Sequence, residues 1–474
     1  MRKMKDSGIQ WIGQIPENWN FIRLRFLCDI KTGNQDTQDN NPDGVYPFYV
    51  RSPNVEHSNK YTFEGPAILM AGDGVGAGKI FHYVDGKYGC HQRVYSLQNI
   101  RRVKRRFLFY YLQNTFYIKI ETANSKSTVD SVRLDMLQDF PVLSTNLAEQ
   151  ARIANFLDQK CSAIDSVLEK TRASIEEYKK LKQSVITQAI TKSIRPNRQM
   201  KDSGIEWIGQ IPEKERLEMR DKRKVDCFSK TSSCQNRHCE QKRSNPEIPD
   251  EKDGNNRPMK DSGIKWIGQI PDDWKAIKTT YLVESISDID HYMPEDSDTG
   301  FPYLMIGDLK DLISKINFEN CKKVSKEDYS KLSMKSKANK GDLIFARYAT
   351  IGTICYVDSD KDFLVSYACL TIKPNKTKLN GKFLFYYYKS SSFFEEVSKF
   401  INSNTQANVG KESLFKIKVP IPPKDEQQAI ADYLDAKCTE LDNLIAKKEQ
   451  FVKEIETYKK SLIYEYVTGK KEII

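Results

Sequence analysis

The stretch that most resembles a catalytic motif is the glycine-rich segment 72–79, which reads Gly-Asp-Gly-Val-Gly-Ala-Gly-Lys. A phosphate-binding loop requires Gly-x-x-x-x-Gly-Lys followed by Ser or Thr, because amides and lysine hold the phosphates while the hydroxyl binds magnesium. Here Asp73 stands at the first required glycine and Ile80 follows the lysine. The glycine spacing also fails the Gly-x-Gly-x-x-Gly pattern of dinucleotide sites. We therefore interpret the segment as a tight connection between strands.

Two further patterns would suit chemistry on nucleic acid, but both are incomplete. Asp43 and the Asp-Gly-Lys string at 85–87 could place carboxylates and a lysine around magnesium in a nuclease. The second half of the chain offers no counterpart to them. A methyltransferase acting on exocyclic amines usually carries Asn/Asp-Pro-Pro-aromatic, whereas the only Pro-Pro pair here lies in Ile-Pro-Pro-Lys at 421–424. We predict that the chain has no catalytic residue.

Histidine and cysteine usage does not indicate a metal site. Cys234, His238 and Cys239 lie close together, but no second pair follows at a zinc-site spacing. The ten cysteines are dispersed, and Cys161 and Cys438 fall inside predicted helices. This distribution favours reduced thiols in the cytoplasm over a disulfide framework. We predict no metal ligand.

Composition favours a water-soluble protein that could bind nucleic acid. The 474 residues carry 75 basic and 64 acidic side chains, for a formal net charge of +11. Mean hydropathy is −0.62, and no run of about 18 apolar residues occurs. The first residues lack the apolar stretch of a secretory signal. The positive charge is compatible with a polyanionic partner but does not by itself identify one.

Two segments with the same order of residue types, 277 positions apart, organise the chain. The first runs from Glu149 to Asp165 and the second from Glu426 to Asp442. Both continue with apolar residues at coiled-coil spacings and charged residues between them. The predicted coiled-coil positions are Ile153, Leu157, Ile164, Leu168 and Ile175 in the first helix, and Ile430, Leu434, Leu441, Ile445, Val452 and Ile455 in the second. We expect the two long helices to pack against one another.

A 13-residue string, here named the Trp-Ile-Gly segment, occurs three times, at 4–16, 200–212 and 259–271. All five tryptophans lie within or directly after these copies. The first and third copies are followed by Trp19 and Trp274. Because large aromatics are concentrated there, we expect the segment to dock onto a helix end or onto a core.

Two modules separate these landmarks, at about 20–145 and 275–422. Both contain short apolar bursts between turn residues, which predict strands. Both end with an aromatic helix, at 107–112 and 383–388. The predicted fold class is α+β: two β-rich domains joined by long coiled-coil helices. Of the 46 residues in 213–258, 22 are charged, which predicts a disordered insert.

Two β-rich modules, each opened by Trp-Ile-Gly-x-Ile-Pro and closed by a helix beginning Glu-Gln-x-x-Ile-Ala, resemble the specificity subunit of type I restriction–modification systems. The resemblance covers the chain except 213–258. Where the family has one short junction, this chain has the middle Trp-Ile-Gly segment and the insert. It implies target recognition domain 1 at 1–145, coiled-coil helix 1 at 146–195, a repeat and insert at 196–258, target recognition domain 2 at 259–422 and coiled-coil helix 2 at 423–474.

The resemblance implies that each domain reads one half of a bipartite site in double-stranded DNA, while an antiparallel coiled coil fixes the gap. It implies two methylation subunits that use S-adenosylmethionine on adenine, and two restriction subunits that use ATP and Mg²⁺. This chain would bind no cofactor itself. The alternatives are a coiled-coil scaffold that does not read DNA, a stand-alone nuclease or methyltransferase, and a silent recombined specificity cassette.

If the chain reads DNA, polar and basic side chains should reach base edges while other cations hold phosphates. The candidates are Arg51, Asn54, Lys60, Lys79 and Arg93 in the first module, and Lys337, Asn339, Arg347, Tyr348, Asn404 and Gln406 in the second.

Overall fold

The computed structural model describes residues 2–123, 131–194, 200–202, 210–212, 258–289, 291–348, 351–401 and 408–473. The chain forms two compact units, Met1–Glu176 with Ile445–Ile474, and Glu177–Leu444. Each unit therefore combines one module with a segment of each long helix. The predicted disordered insert lies outside the described residues, apart from residue 258.

The first half of the chain contains twelve strands and two α-helices in its described residues, followed by a long helix. The strands are β1 Met4–Asp6, β2 Gln14–Pro16, β3 Asn20–Arg23, β4 Asp29–Thr32, β5 Tyr46–Tyr49, β6 Glu56–Ser58, β7 Phe63–Glu64, β8 Ala67–Ala71, β9 Phe81–Val84, β10 Lys87–Cys90, β11 Val94–Gln98 and β12 Pro141–Ser144. The helices are α1 Arg105–Ala123, α2 Leu134–Gln138 and the long α3 Leu147–Lys192.

The second half of the chain contains thirteen strands and five α-helices in its described residues. Its strands are β13 Met200–Asp202, β14 Gln210–Pro212, β15 Met259–Asp261, β16 Gln269–Pro271, β17 Lys275–Lys278, β18 Val283–Ser287, β19 Phe301–Leu304, β20 Lys322–Val324, β21 Leu343–Ala346, β22 Ile354–Tyr356, β23 Leu364–Val365, β24 Cys369–Pro374 and β25 Lys418–Ile421. Its helices are α4 Lys326–Ser333, α5 Gly381–Lys389, α6 Ser391–Ser398, α7 Lys411–Lys416 and the long α8 Lys424–Val467.

Both modules are built around a four-stranded antiparallel sheet with the same strand order. The first is β4-β11-β8-β9 and the second is β18-β24-β21-β22. The third strand of each order, β8 or β21, is apolar and buried along its whole length, as expected for a strand covered on both faces. A smaller sheet stands beside each one, β6-β5-β10-β7 or β20-β19-β23, and contains one parallel pair. The predicted α+β class is confirmed.

The aromatic helices supply much of each core. Helix α1 packs against β8, β9 and β12, and its Phe107 and Tyr111 are fully buried. In the second unit, Phe383 to Tyr388 of α5 are all buried. The Asn380 side chain caps α5 by accepting hydrogen bonds from the amides of Lys382 and Phe383, which satisfies donors that have no partner within the helix.

The Trp-Ile-Gly segments pack into these cores together with the ends of the long helices. In the first unit, Trp19 is fully buried beside Phe107, and the same cluster includes Leu462 and Val467 near the end of α8. The Tyr464 hydroxyl donates to the Trp11 carbonyl at 2.6 Å. The expectation that the segment docks onto a helix end and a core is confirmed there.

The third copy has the same environment in the second unit. Trp274 is fully buried and shares a cluster with Ile267, and with Ile186 and Ile190 near the end of α3. The Lys192 ammonium donates to the Ile267 carbonyl at 3.3 Å. The repeated spacing of apolar residues in the 13-residue string therefore serves the same packing role in both units.

Within each unit the two long-helix segments run antiparallel. In the first unit, the Phe156 and Tyr466 ring centroids lie 4.6 Å apart, and Lys459 donates to Asp165 at 2.6 Å. In the second unit, the Lys182 ammonium contacts Asp442 at 2.6 Å. In the first unit, residue numbers rise along α3 as they fall along α8, which fixes the antiparallel direction.

The predicted coiled-coil residues occupy two kinds of environment. Ile153 and Leu157 belong to the first module's core cluster, whereas Ile430 and Leu434 belong to that of the second. Ile164 packs against the first cluster as a partly buried side chain. Farther along the helices, Leu168, Ile175 and Leu441 are buried, and Ile445, Val452 and Ile455 are half-buried. The start of each long helix is thus integrated with its own module.

Candidate nucleic-acid interface

One edge of each four-stranded sheet gathers polar side chains from distant parts of the chain. In the first module, the carboxyl ends of β4 and β8 meet the amino end of β11, because the strands are antiparallel. We name this edge polar edge one and define it as residues 33–36, 51–54, 72–79 and 91–93. The corresponding polar edge two consists of residues 288–289, 347–348, 366–368 and 411.

At polar edge one, Asp73 lies between two arginines. The Arg51 Nη1 atom donates to Asp73 Oδ1 at 2.9 Å, and Arg93 Nε lies 3.7 Å from Asp73 Oδ2. The side chains of Arg51 and Arg93 remain 44% and 65% exposed, while that of Asp73 is 24% exposed. The arrangement presents two accessible guanidinium groups whose position is tied to a more buried carboxylate.

The glycine-rich segment forms the connection from β8 to β9, as predicted. Gly78 has a φ of +61°, and a Cβ atom there would lie 2.1 Å from Ile120 Cδ1. Only glycine tolerates both the left-handed backbone and this approach to α1. The residues directly before α2 contact the same turn, because the Val132 amide donates to the Gly72 carbonyl at 2.7 Å. The glycines therefore allow the connection to pack closely against α1.

Polar edge two contains the same charge types in another arrangement. The Arg347 Nη1 atom donates to Asp288 Oδ2 at 2.6 Å, and Lys411 Nζ lies 3.8 Å from the other carboxylate oxygen. The Arg347 guanidinium also lies over the Tyr348 ring, 5.1 Å from its centroid. Tyr348 forms an isolated backbone bridge with Asn408, just as Asp73 does with Ser131 in the first module. Both edges are therefore braced by the segment that precedes a short helix.

The structure places the remaining first-module candidates around polar edge one. Asn54 lies exposed in the connection from β5 to β6, and its backbone amide donates to Ser52 Oγ at 3.1 Å. Lys79 is exposed on the β8–β9 connection. Lys60 is exposed too, and its carbonyl accepts from Gln35 Nε2 at 2.9 Å, which links it to the residues after β4.

The second-module candidates are more dispersed. Lys337 pairs with Asp362 at 2.8 Å, and that hydrogen bond raises the pKa of the lysine. Asn339 lies at the opposite end of β21 from Arg347, and its backbone amide donates to Asp342 Oδ2 at 2.8 Å. Asn404 and Gln406 lie outside the described residues. The structure brings together Arg347 and Tyr348, and it places Asn339 away from them.

Two supporting glutamines, Gln150 and Gln427, were not among the predicted site residues. Gln150 accepts from the Lys104 amide at 2.7 Å and donates to the Thr145 carbonyl at 2.6 Å. Gln427 likewise accepts from the Asn380 amide at 2.7 Å and donates to the Pro422 carbonyl at 3.0 Å. Each glutamine joins the start of a long helix to the segment before an aromatic helix. The signal that could have identified them is the repeated Glu-Gln pair.

A repeated aspartate makes the second connection between helix and module. Asp158 accepts from the Tyr110 hydroxyl at 2.7 Å and from Arg106 Nε at 2.6 Å. Asp435 accepts from the Tyr386 hydroxyl at 2.7 Å and pairs with Lys382. Burial of Tyr110 and, to a smaller extent, its hydrogen bond to Asp158 raise the pKa of the phenol, so the hydroxyl remains a donor at neutral pH. These contacts hold each module on its long helix.

Comparison with known proteins shows the family to which the chain is similar. Residues 16–177 and 271–456 match the sequence model of a family described as "Type I restriction modification DNA specificity domain". Over 183 residues the chain is 31% identical to the type I restriction enzyme EcoDI specificity subunit of Escherichia coli, a match that spans 38% of this chain and 39% of that protein. Over 476 residues it is 23% identical to the type I restriction enzyme MjaVIII specificity subunit of Methanocaldococcus jannaschii, spanning 96% and 94% of the two chains.

The fold has a counterpart among solved structures. A chain from a structural study of complex assembly and conformational transition in a type I R-M system matches with a TM-score of 0.59 and 14% identity. The match covers 96% of this chain and 99% of the other. At this identity the likeness concerns the fold. Among the described residues, no helix is long and apolar enough to cross a membrane.

Proposed function

Because this chain belongs to the family of type I restriction–modification DNA specificity domains, we propose that it reads a bipartite site in double-stranded DNA on behalf of partner enzymes. The observation that carries this proposal is that the two modules share one sheet order but present different polar edges. The sheet orders match, but Arg51, Asp73 and Arg93 supply one edge, while Asp288 and Arg347 supply the other. Such modules would read two unlike half-sites.

The physical advantage lies in linking two readers. Binding of the second half-site becomes intramolecular once the first is engaged, so two weak affinities combine into one strong affinity that depends on spacing. We assign the spacing to α3 and α8, as the family resemblance implies. Basic groups beyond the edges would hold phosphates and set the register, whereas the edges would contact bases.

The chemistry is assigned to partners. In this proposal two methylation subunits bind S-adenosylmethionine and methylate adenine, and two restriction subunits use ATP and Mg²⁺ in the cytoplasm. The chain itself orients these enzymes on DNA and carries no catalytic residue or cofactor. This division agrees with the incomplete motifs at 72–79 and 421–424.

Modified-base sequencing of genomic DNA tests the proposal. A host lacking its own modification system would express the chain together with a matching methylation subunit. We expect N6-methyladenine confined to a two-part motif with a fixed gap. Absence of any motif, while the subunits co-purify, would contradict DNA reading and favour the scaffold alternative.

The non-catalytic assignment has a separate test. The purified chain alone would be incubated with plasmid DNA and Mg²⁺, and in a parallel reaction with S-adenosylmethionine. We expect neither cleavage nor methyl transfer, and the same reactions with added methylation subunit serve as the positive control. Reproducible turnover by the lone chain would overturn the assignment.

A further inference from the structure

We propose that Asp73 and Asp288 are positioning residues for base recognition, each holding an arginine, Arg51 or Arg347, for bidentate contact with a guanine in its own half-site. The inference rests on the proposed function and deepens it, because it names the residues and the base read at each edge. Neither aspartate would contact the base itself.

The geometry at polar edge one fits this role. Asp73 engages one Nη atom of Arg51 at 2.9 Å, and a guanidinium has five N–H donors in a rigid fork. Donors therefore remain for the O6 and N7 acceptors of guanine, the pair that arginine most often reads in the major groove. The exposed fraction of the Arg51 side chain, 44%, leaves the group accessible to a duplex.

Polar edge two supports the role independently. Asp288 holds Arg347 Nη1 at 2.6 Å, and the Tyr348 ring lies against the guanidinium. The Arg347 side chain is 18% exposed, and its Nε is buried without a hydrogen-bond partner among the described residues, so its Nη atoms are the donors left for a base. An arginine that is restrained on two sides loses less side-chain entropy when it binds a base than a freely rotating one does.

At each edge one aspartate contacts two cations, but the aspartates come from different sequence positions. Asp73 follows β8, whereas Asp288 follows β18. A shared packing requirement would place the aspartate at one equivalent position in both modules. In addition, an ion pair as accessible as that of Arg51 and Asp73 contributes little to stability, so the fold does not explain its presence.

The test compares methylation motifs of Asp73→Asn, Asp288→Asn and wild type, each expressed in full length with the methylation subunit. Loss of the carboxylate frees the arginine, so discrimination at the guanine should fall by roughly 5- to 150-fold, the range for one bidentate contact. We expect Asp73→Asn to relax only the half-site read by the first module, and Asp288→Asn only the other. Asp73→Glu should restore discrimination in part because it keeps the charge.

Asp85→Asn provides a matched control in the first module. Asp85 also pairs with an arginine, Arg105 at 3.2 Å, but it follows β9 at the opposite edge of the same sheet. We expect its motif to equal that of the wild type. A purely structural role for Asp73 would instead lower total methylation without changing which bases are accepted.

The outcomes separate the inference from the proposed function. Absence of a wild-type motif would refute the proposed function, whereas an intact wild-type motif with unchanged base preference in both Asn variants would overturn only the inference. If an Asn variant fails to assemble with the methylation subunit, Arg51→Lys and Arg347→Lys remove the guanidinium fork while keeping the charge. Unaltered guanine preference in those two variants would also overturn it.

Discussion

At the scale of single residues, the buried glutamines Gln150 and Gln427 connect the modules to the long helices. The two residues are 0% and 1% exposed, and the side-chain amide bonds to two backbone groups in Gln150 and to three in Gln427. Backbone groups buried away from water need partners, since an unsatisfied one costs about 1–3 kcal/mol. A glutamine is suited to this position because one side chain supplies both a donor and an acceptor.

We expect Gln150→Ala to lower the free energy of unfolding of the first unit by about 1–3 kcal/mol, because the Lys104 amide and the Thr145 carbonyl would lose their shared partner. Urea denaturation followed by tryptophan fluorescence measures the change. Gln159→Ala, at an exposed position of the same helix, serves as the control and should shift stability by less than about 0.5 kcal/mol. Equal effects of the two variants would contradict the assigned role.

Glu149 makes the folding stability of the first unit depend on pH. Burial alone would raise its pKa, but hydrogen bonds from Thr145 and Arg2 outweigh burial, so the pKa is lowered. The ionised form is therefore favoured in the folded state. The resulting stability is present above the unfolded pKa of about 4.3 and is lost as the pH falls through the folded value.

We therefore expect Glu149→Gln to destabilise the protein at pH 7 and to lose this disadvantage as the pH falls below about 4. Denaturation curves of the wild type and the variant at several pH values measure the difference. A difference that stays constant from pH 7 to pH 3 would show that the charge of Glu149 is not responsible.

At the scale of elements, the Trp-Ile-Gly segment and the tryptophan that follows it pack against the end of a long helix. In the second unit, Trp274 is fully buried, and its Nε1 donates to Glu426 Oε2 at 3.1 Å. Glu426 also accepts from Ser193, directly after α3. The middle copy of the segment has Glu215 at the position of Trp274. A carboxylate beside Glu426 in an apolar site would be unfavourable, which explains why tryptophan is needed there.

We expect Trp274→Ala to cost about 3–5 kcal/mol in the second unit, the range for truncating a buried aromatic side chain. Because the end of α3 packs in the same cluster, limited proteolysis should also cut near Ile194 more rapidly. Trp266→Ala, which removes a partly buried ring of the same segment, should have a smaller effect. Equal stability of Trp274→Ala and the wild type would contradict the claim that Trp274 stabilises the end of α3.

At the scale of the whole molecule, the duplicated segment allows a matched pair of deletions. The copies at 200–212 and 259–271 are identical except at Glu206 and Lys265. Deleting 200–258, or deleting 213–271, therefore yields chains that differ at that single position. Both join α3 to Trp274 through one copy of the segment and the same seven residues, 193–199.

We expect both deletion variants to keep the wild-type methylation motif, with the same half-sites and the same gap. The groups that dock the third copy, Ile264, Ile267 and Ile270, have sequence counterparts in the second, so either copy can fill the site. Modified-base sequencing of the two variants beside the wild type measures this. Loss of the motif in both would mean that residues 213–258 contribute to recognition.

The sequence alone determined the α+β class, the two long helices and the docking segment. These features follow from local apolar spacing and from repetition, which are properties of contiguous residues. It also pointed to Arg51, Arg93 and Arg347, because exposed cations in strand connections are plausible contacts for DNA.

Only the tertiary structure decided which of those residues lie together. Arg51, Asp73 and Arg93 meet because three strand ends meet at one edge, and that neighbourhood depends on strand order, which no local pattern encodes. Asn339 lies at the opposite end of β21 from Arg347 because it precedes that strand and Arg347 follows it. Asp73 and Asp288 were not predicted because the candidates were polar and basic side chains. Two modules with dissimilar sequences share one sheet order because burial of apolar strands fixes the plan, while the polar edges are free to differ.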